Sequence, residues 1–105
     1  MDIRSLEIFV AVAKFGSASK AAESLHITQP AVSWTINKLE QHYGVRLFDR
    51  TSRQMNLNEA GCAVLPKAKE VLSQFASFEH SIKRFGTAQI LSVGFSFGQN
   101  MMLSY

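Results

Sequence analysis

Between Thr28 and Lys38 the chain sets Thr28, Gln29, Ser33, Asn37 and Lys38, all hydrogen-bonding side chains, around Pro30 and Trp34. A glutamine amide donates and accepts at once, which suits the paired N6 and N7 groups of adenine. Hydroxyls such as those of Thr28 and Ser33 suit phosphate oxygens, and the Lys38 ammonium adds a point charge to the same backbone. Pro30 offers an apolar edge to a thymine methyl. Farther on, Arg50 and Arg53 flank a short turn, from which a guanidinium reaches a phosphate or a narrow minor groove. The chemistry implied is the reading of double-stranded DNA. Each residue also has a plainer use. Gln29 and Pro30 start helices well, Ser33 and Asn37 suit any solvated surface, and Arg50 has Asp49 and Glu40 as ion-pair partners.

Catalytic and metal chemistries fail on arrangement. His26, His42 and His80 are scattered, and no Asp, Glu or Cys cluster joins them, so neither a metal site nor an enzyme is expected. Cys62 is the single cysteine, which excludes an internal disulfide and reads as a buried or half-buried, inert thiol. No glycine-rich phosphate loop is present, and no cofactor is expected.

The elements that must position the polar run follow from spacing and punctuation. Leu6, Phe9, Val10 and Ala13 recur at three- and four-residue intervals, predicting an amphipathic helix over 3–15. Gly16 stops it, and Ser17 caps a second helix with Ala18, Ala21, Ala22 and Leu25 as its inward stripe. Thr28 caps a third, with Pro30 in its first turn. Val32, Ile36, Leu39 and Tyr43 form its inward face, so the polar run faces outward, and Gly44 closes it. Arg46–Arg50 and Gln54–Leu57 read as two short strands joined across Thr51-Ser52-Arg53. A two-stranded ribbon this small persists only when packed on helices.

A long helix is expected from the capping Asn58 to about Arg84. Val64, Ala68, Val71, Phe75, Phe78, Ile82 and Phe85 alternate at four- and three-residue steps, the heptad pattern of a helix–helix seam. Pro66 interrupts the run and is expected to kink the helix or move its start to near 65. Beyond it, Leu91, Val93, Phe95 and Phe97 alternate with Ser92, Gly94 and Ser96, predicting a strand over 90–97.

Composition bounds these readings. With 105 residues, 47% hydrophobic and 18% charged, the chain can bury one modest core. The net charge of +3 permits a nucleic-acid partner without demanding one. Residues 1–57 carry seven basic against five acidic side chains, residues 58–86 four against three, and residues 87–105 none. That uncharged tail approaches a membrane span in length but is broken by Gln89, Ser92, Ser96, Gln99, Asn100 and Ser104, so no membrane partner is expected. Met1-Asp2-Ile3-Arg4-Ser5-Leu6 lacks the layout of a secretory signal, which favours the cytoplasm.

Three short helices and a small ribbon describe a mainly α, winged helix-turn-helix fold, whose third helix enters a major groove. At this point the residues carry a resemblance. Leu6–Ala13, Ser17–Ala22, Leu25–Ser33, Ile36–Glu40, Gly44–Arg50 and Leu57–Gly61 together resemble the N-terminal domain of the LysR-type transcriptional regulators. The resemblance covers residues 1 to about 61 almost continuously. It implies a DNA reader over 1–57, a dimerising linker helix over 58–86, and, over 87–105, the start of a ligand-sensing effector domain, to whose first strand Gln89–Gly94 is similar. It also implies that Gln29, Pro30, Ser33 and Arg53 touch DNA, and that linker helices pair antiparallel. A homodimer through the linker helix is then expected, with a tetramer open to a longer form, on a partly palindromic promoter site in the bacterial nucleoid.

Trp34 and Asn37 depart from the family pattern, which favours a long polar or basic side chain at the first position and a basic one at the second. Trp34 either packs on a thymine methyl or sugar, or covers the second helix. No small-molecule effector pocket is expected from Ile90–Tyr105. A different class of function is a protein-interaction module that forms heterodimers with full-length regulators and titrates them.

Overall fold

The computed structural model describes residues 1–50 and 54–93, with 87–93 described by backbone alone. Its elements are α1 (Ile3–Phe15), α2 (Ala18–Leu25), α3 (Gln29–Tyr43), β1 (Phe48–Asp49), β2 (Asn56–Leu57) and α4 (Glu59–Val93). Each helix boundary has a local cause. The Asp2 carboxylate accepts the Ser5 N–H at 3.0 Å and the Ser5 hydroxyl at 2.9 Å. These bonds hold its carboxyl below the ordinary 3.8. Ser17 caps α2 by accepting from the Lys20 N–H, and Thr28 caps α3 by accepting from Ala31. Gly16 and Gly44 end α1 and α3 at φ of 65° and 69°, a left-handed conformation that costs glycine nothing.

The core forms where α1, α2 and α3 meet. Phe9, Val12, Ala21, Val32, Ile36 and Phe48 are almost wholly buried, and the Phe9 and Phe48 rings meet edge to face at 5.6 Å. Ala21 and Ala22 are both buried, their small side chains letting the neighbouring helices approach closely. Helix α1 buries Ile8 and Ala11 besides Phe9 and Val12, while Leu6, Val10 and Ala13 pack at the rim. Its buried face is therefore wider than the expected stripe.

Tyr43 departs from its expected inward place. It is 57% exposed at the last position of α3, where Gly44 already turns the chain away. Glu40 is buried there instead.

The wing pairs Phe48 with Leu57 and Asp49 with Asn56, antiparallel. Two backbone bonds tie it down: Met55 N–H donates to Gly16 and Asn58 N–H to Leu47, both at 3.0 Å. Thr51, Ser52 and Arg53, and with them the expected Arg53 contact to DNA, lie outside the described residues.

Helix α4 starts at Glu59 and runs through Pro66, so its start is not displaced to 65. Asn58 caps it by accepting from the Gly61 N–H at 2.8 Å, while its own amide donates to the Arg46 carbonyl. With the first turn pinned, the donor missing at Pro66 is tolerated, because Pro66 and Cys62, the latter exposed rather than buried as expected, face solvent and water can serve the Cys62 carbonyl. The helix continues to Val93, past the expected end at Arg84. Ile90–Val93 are helical rather than the start of a strand; 94–97 lie outside the described residues. A helix closes its hydrogen bonds within one segment, whereas a strand needs a neighbour to pair with.

The described residues fall into two units, Met1–Leu72 and the part of α4 from Ser73 onward. Within the first, Ala68 is buried in the core, with Ala60 and Leu65 packed against it. Along α4, Val64, Val71, Phe75, Phe78, Ile82 and Phe85 are all exposed, from 37% to 65%. No helix among the described residues is long and apolar enough to cross a membrane.

Candidate nucleic-acid interface

Helix α3 is locked in rotation by burial of Val32, Ile36 and Leu39 and by one buried carboxylate, Glu40. The opposite face presents Gln29, Pro30, Trp34, Asn37 and Lys38 to solvent, with Ser33 half-buried beside them. Thr28 stands at the helix start, its hydroxyl oxygen engaged by the Ala31 N–H at 3.3 Å. That bond uses the oxygen as an acceptor and leaves the O–H hydrogen able to donate outward.

The Gln29 amide is oriented within the helix. Its Nε2 donates to Ser33 Oγ at 2.8 Å, one turn on. One N–H is thereby occupied, and the second N–H and the carbonyl oxygen form the donor–acceptor edge that adenine would pair with.

Gln29, Ser33, Asn37 and Arg50 border one hollow of about 300 Å³, closed on the other side by Ser17, Ser19 and Met55. Trp34 and Lys38 border a different hollow, of about 350 Å³, with Arg4, Thr35 and His42. The Lys38 ammonium lies 5.5 Å from the Trp34 ring centroid, within cation–π range. The sequence-predicted residues are thus shared between two flanks of one helix rather than gathered in a single cluster.

Arg50 takes the plainer of its two readings. Its Nη2 donates to Glu40 Oε1 at 2.8 Å, and its side chain is only 31% exposed. Glu40 Oε2 accepts the Leu47 N–H at 2.7 Å, and Arg46 Nε lies 3.6 Å from Oε1. One buried carboxylate therefore joins α3 to the strand that begins the wing. Arg50 still borders the hollow beside Gln29, and a guanidinium has five donors, so pairing with Glu40 does not exhaust it.

Ser17, Ser19, Arg4 and His42 border these hollows, but sequence spacing did not single them out as site residues. The N-cap signal at Ser17 was readable, but not that α2 begins beside α3, because helix crossings are tertiary. Among the described residues, no three His, Cys, Asp or Glu side chains come together as a metal site.

Comparison with known proteins agrees with this arrangement. Residues 3–62 match the family described as bacterial regulatory helix-turn-helix protein, lysR family. An uncharacterized HTH-type transcriptional regulator in the ibpB-leuC intergenic region of Azotobacter vinelandii is 58% identical over 73 residues, covering 70% of this chain and 51% of that protein. The HTH-type transcriptional regulator CfxR of Cupriavidus necator is 40% identical over 83 residues, covering 79% of this chain and 26% of its own length. The chain thus spans about half of the first relative and a quarter of the second.

Among solved structures, the BenM DBD/benA site 1 DNA complex aligns with a TM-score of 0.77 at 35% identity, covering 82% of this chain and 97% of that one. The CbnR DBD–DNA complex aligns at 0.73 and 34%, covering 83% and 99%. The fold is the winged helix-turn-helix with a linker helix, and the chain belongs to the lysR family of bacterial regulatory helix-turn-helix proteins.

Proposed function

We propose that this chain is the DNA-reading and dimerising part of a transcription regulator, binding duplex DNA in a sequence-specific way without catalysis. The observation that carries the reading is α3, with Val32 and Ile36 buried and Gln29, Trp34, Asn37 and Lys38 exposed on the other face. A major groove admits one α-helix, and this face supplies amide, hydroxyl, ammonium and apolar groups for its base edges and phosphates. The likeness to DNA-bound domains of known structure supports it. Thr28, Gln29, Pro30, Ser33, Trp34, Asn37, Lys38 and Arg53 are the proposed contacts, with Arg50 as a secondary one behind its Glu40 pair. The proposed place of work is the bacterial cytoplasm, on the nucleoid.

The dimer would form through α4. Val64, Val71, Phe75, Phe78, Ile82 and Phe85 are apolar, exposed and heptad-spaced, and such a row in water invites a partner helix. Two-fold pairing presents two α3 helices to half-sites a whole number of helical turns apart.

The test is selection of preferred sites from random duplex DNA at stated salt, followed by binding of two variants. Arg53→Ala should weaken binding to every sequence and lower the salt slope by about one unit. Gln29→Ala should relax preference at one base pair per half-site; equal losses on selected and random DNA would sink that role.

The same exposed row on α4 favours one further reading, a chain that joins full-length relatives in mixed dimers and titrates them. A chain that ignores DNA at low salt, yet co-sediments with a full-length relative, would favour it.

A further inference from the structure

Trp34 carries more information than the helix face as a whole. It lies about 160° around α3 from both Val32 and Ile36, which are fully buried. Trp34 itself is 64% exposed, so it does not cover α2, and most of this large apolar side chain stays open to solvent. It borders the hollow of Arg4 and His42 and not the one that Gln29 and Asn37 border. The Lys38 ammonium occupies one side of the ring at 5.5 Å from its centroid. The indole is thus held by a neighbour one turn away while its remaining surface faces outward.

The chemistry of the ring limits what it can read. Indole has one N–H donor and no acceptor, so it cannot make the paired hydrogen bonds that identify guanine or adenine. What it offers is a broad apolar face, and the apolar feature on the major-groove edges is the C5-methyl of thymine. We propose that Trp34 is a specificity-determining residue that packs its indole on a thymine C5-methyl in the major groove. The proposal rests on the DNA reading above and adds to it a thymine in each half-site, next to the base pair read by Gln29.

The experiment uses the full 105-residue chain and a duplex selected by it from random DNA. Each thymine is replaced singly by deoxyuridine, which removes only the methyl group. At one thymine per half-site the replacement should weaken wild-type binding roughly fourfold, the worth of one buried methyl group. In Trp34→Ala, assayed at salt low enough for measurable binding, that difference should vanish. In Pro30→Ala, which alters the other apolar contact on this face, it should persist.

Selected duplexes that bind tightly but ignore every deoxyuridine would overturn the role of Trp34 and leave the DNA reading standing. So would a penalty that survives in Trp34→Ala, or a Trp34→Ala chain that binds no DNA at any salt. Failure of the wild-type chain to enrich any duplex would overturn both.

Discussion

Glu40 and Arg50 form an ion pair across the junction of α3 and the wing, with Nη2 2.8 Å from Oε1. The carboxylate is 5% exposed and also takes the Leu47 N–H. Burying it is tolerable only because both oxygens are occupied. The pair therefore fixes where the wing leaves the recognition helix, which places the wing relative to whatever α3 reads.

Removing Glu40 should hurt more than removing Arg50. Glu40→Ala strands the Leu47 N–H and the partly buried guanidinium, an expected loss of about 3 kcal/mol. Arg50→Ala leaves the carboxylate facing the Leu47 N–H and Arg46 at 3.6 Å, so about half that loss is expected. Urea denaturation of the two variants measures the order. Equal losses would mean that Arg46 and Leu47 do not support the carboxylate when Arg50 is gone.

Gly61→Ala tests the close approach of α4 to the wing. A Cβ at this position would collide with the Leu47 carbonyl and approach Leu57 Cδ2. Alanine ordinarily favours a helix over glycine by about 1 kcal/mol. Here the obstacle is backbone, also held by the Asn58 N–H, and cannot swing aside. A net destabilisation of about 1–3 kcal/mol is expected, read as a lowered thermal midpoint. A raised midpoint would show that the helix start shifts freely.

What the sequence disclosed divides by the range of the interaction. Gly16, Ser17, Thr28, Gly44 and Asn58 act on backbone groups within a few residues, so those starts and stops were readable as a residue type at a position, whereas the α2 stop at the left-handed His26 and the α4 end at Val93 were not. The inward faces of α2 and α3 were readable from the helical period, apart from Tyr43, where the period runs on but the helix ends. The Glu40 junction was visible only as one of two partners for Arg50, because Leu47 and Arg46 reach it through the fold. Ile90–Val93 misled because a short alternating apolar run satisfies strand and helix templates alike. Of the interface, the outward face of α3 was legible. Its division into two flanks was not, since Arg4, Ser17 and Ser19 arrive from other helices.

Ser33→Ala should loosen the Gln29 amide without touching the fold. Ser33 Oγ accepts from Gln29 Nε2 at 2.8 Å, which sets which edge of the amide faces outward. Without it, the amide must be ordered during binding. Discrimination at the Gln29 base pair should fall roughly threefold, the worth of one exposed hydrogen bond, over and above the uniform loss on random DNA that removing a phosphate-suited hydroxyl brings. A double-mutant cycle with Gln29→Ala measures the link. Additive losses would mean that Ser33 acts independently of Gln29, through its own contact.

Phe78→Glu tests whether α4 supports DNA binding through pairing. Phe78, Ile82 and Phe85 are 60%, 54% and 65% exposed, and Phe78 lies far from the residues of α3 in sequence. A glutamate there leaves the helix propensity nearly unchanged but sets a charge in an apolar seam, where burial is costly. The chain should remain folded by circular dichroism and sediment as a monomer. With a net charge of only +3 per chain, one reader holds DNA weakly, and joining two raises affinity through effective concentration. Affinity for a two-half-site duplex should therefore fall by roughly a hundredfold, while affinity for a single half-site is unchanged. A monomeric variant that still binds the double site as tightly as the parent would separate the apolar row from DNA binding and leave it to another partner.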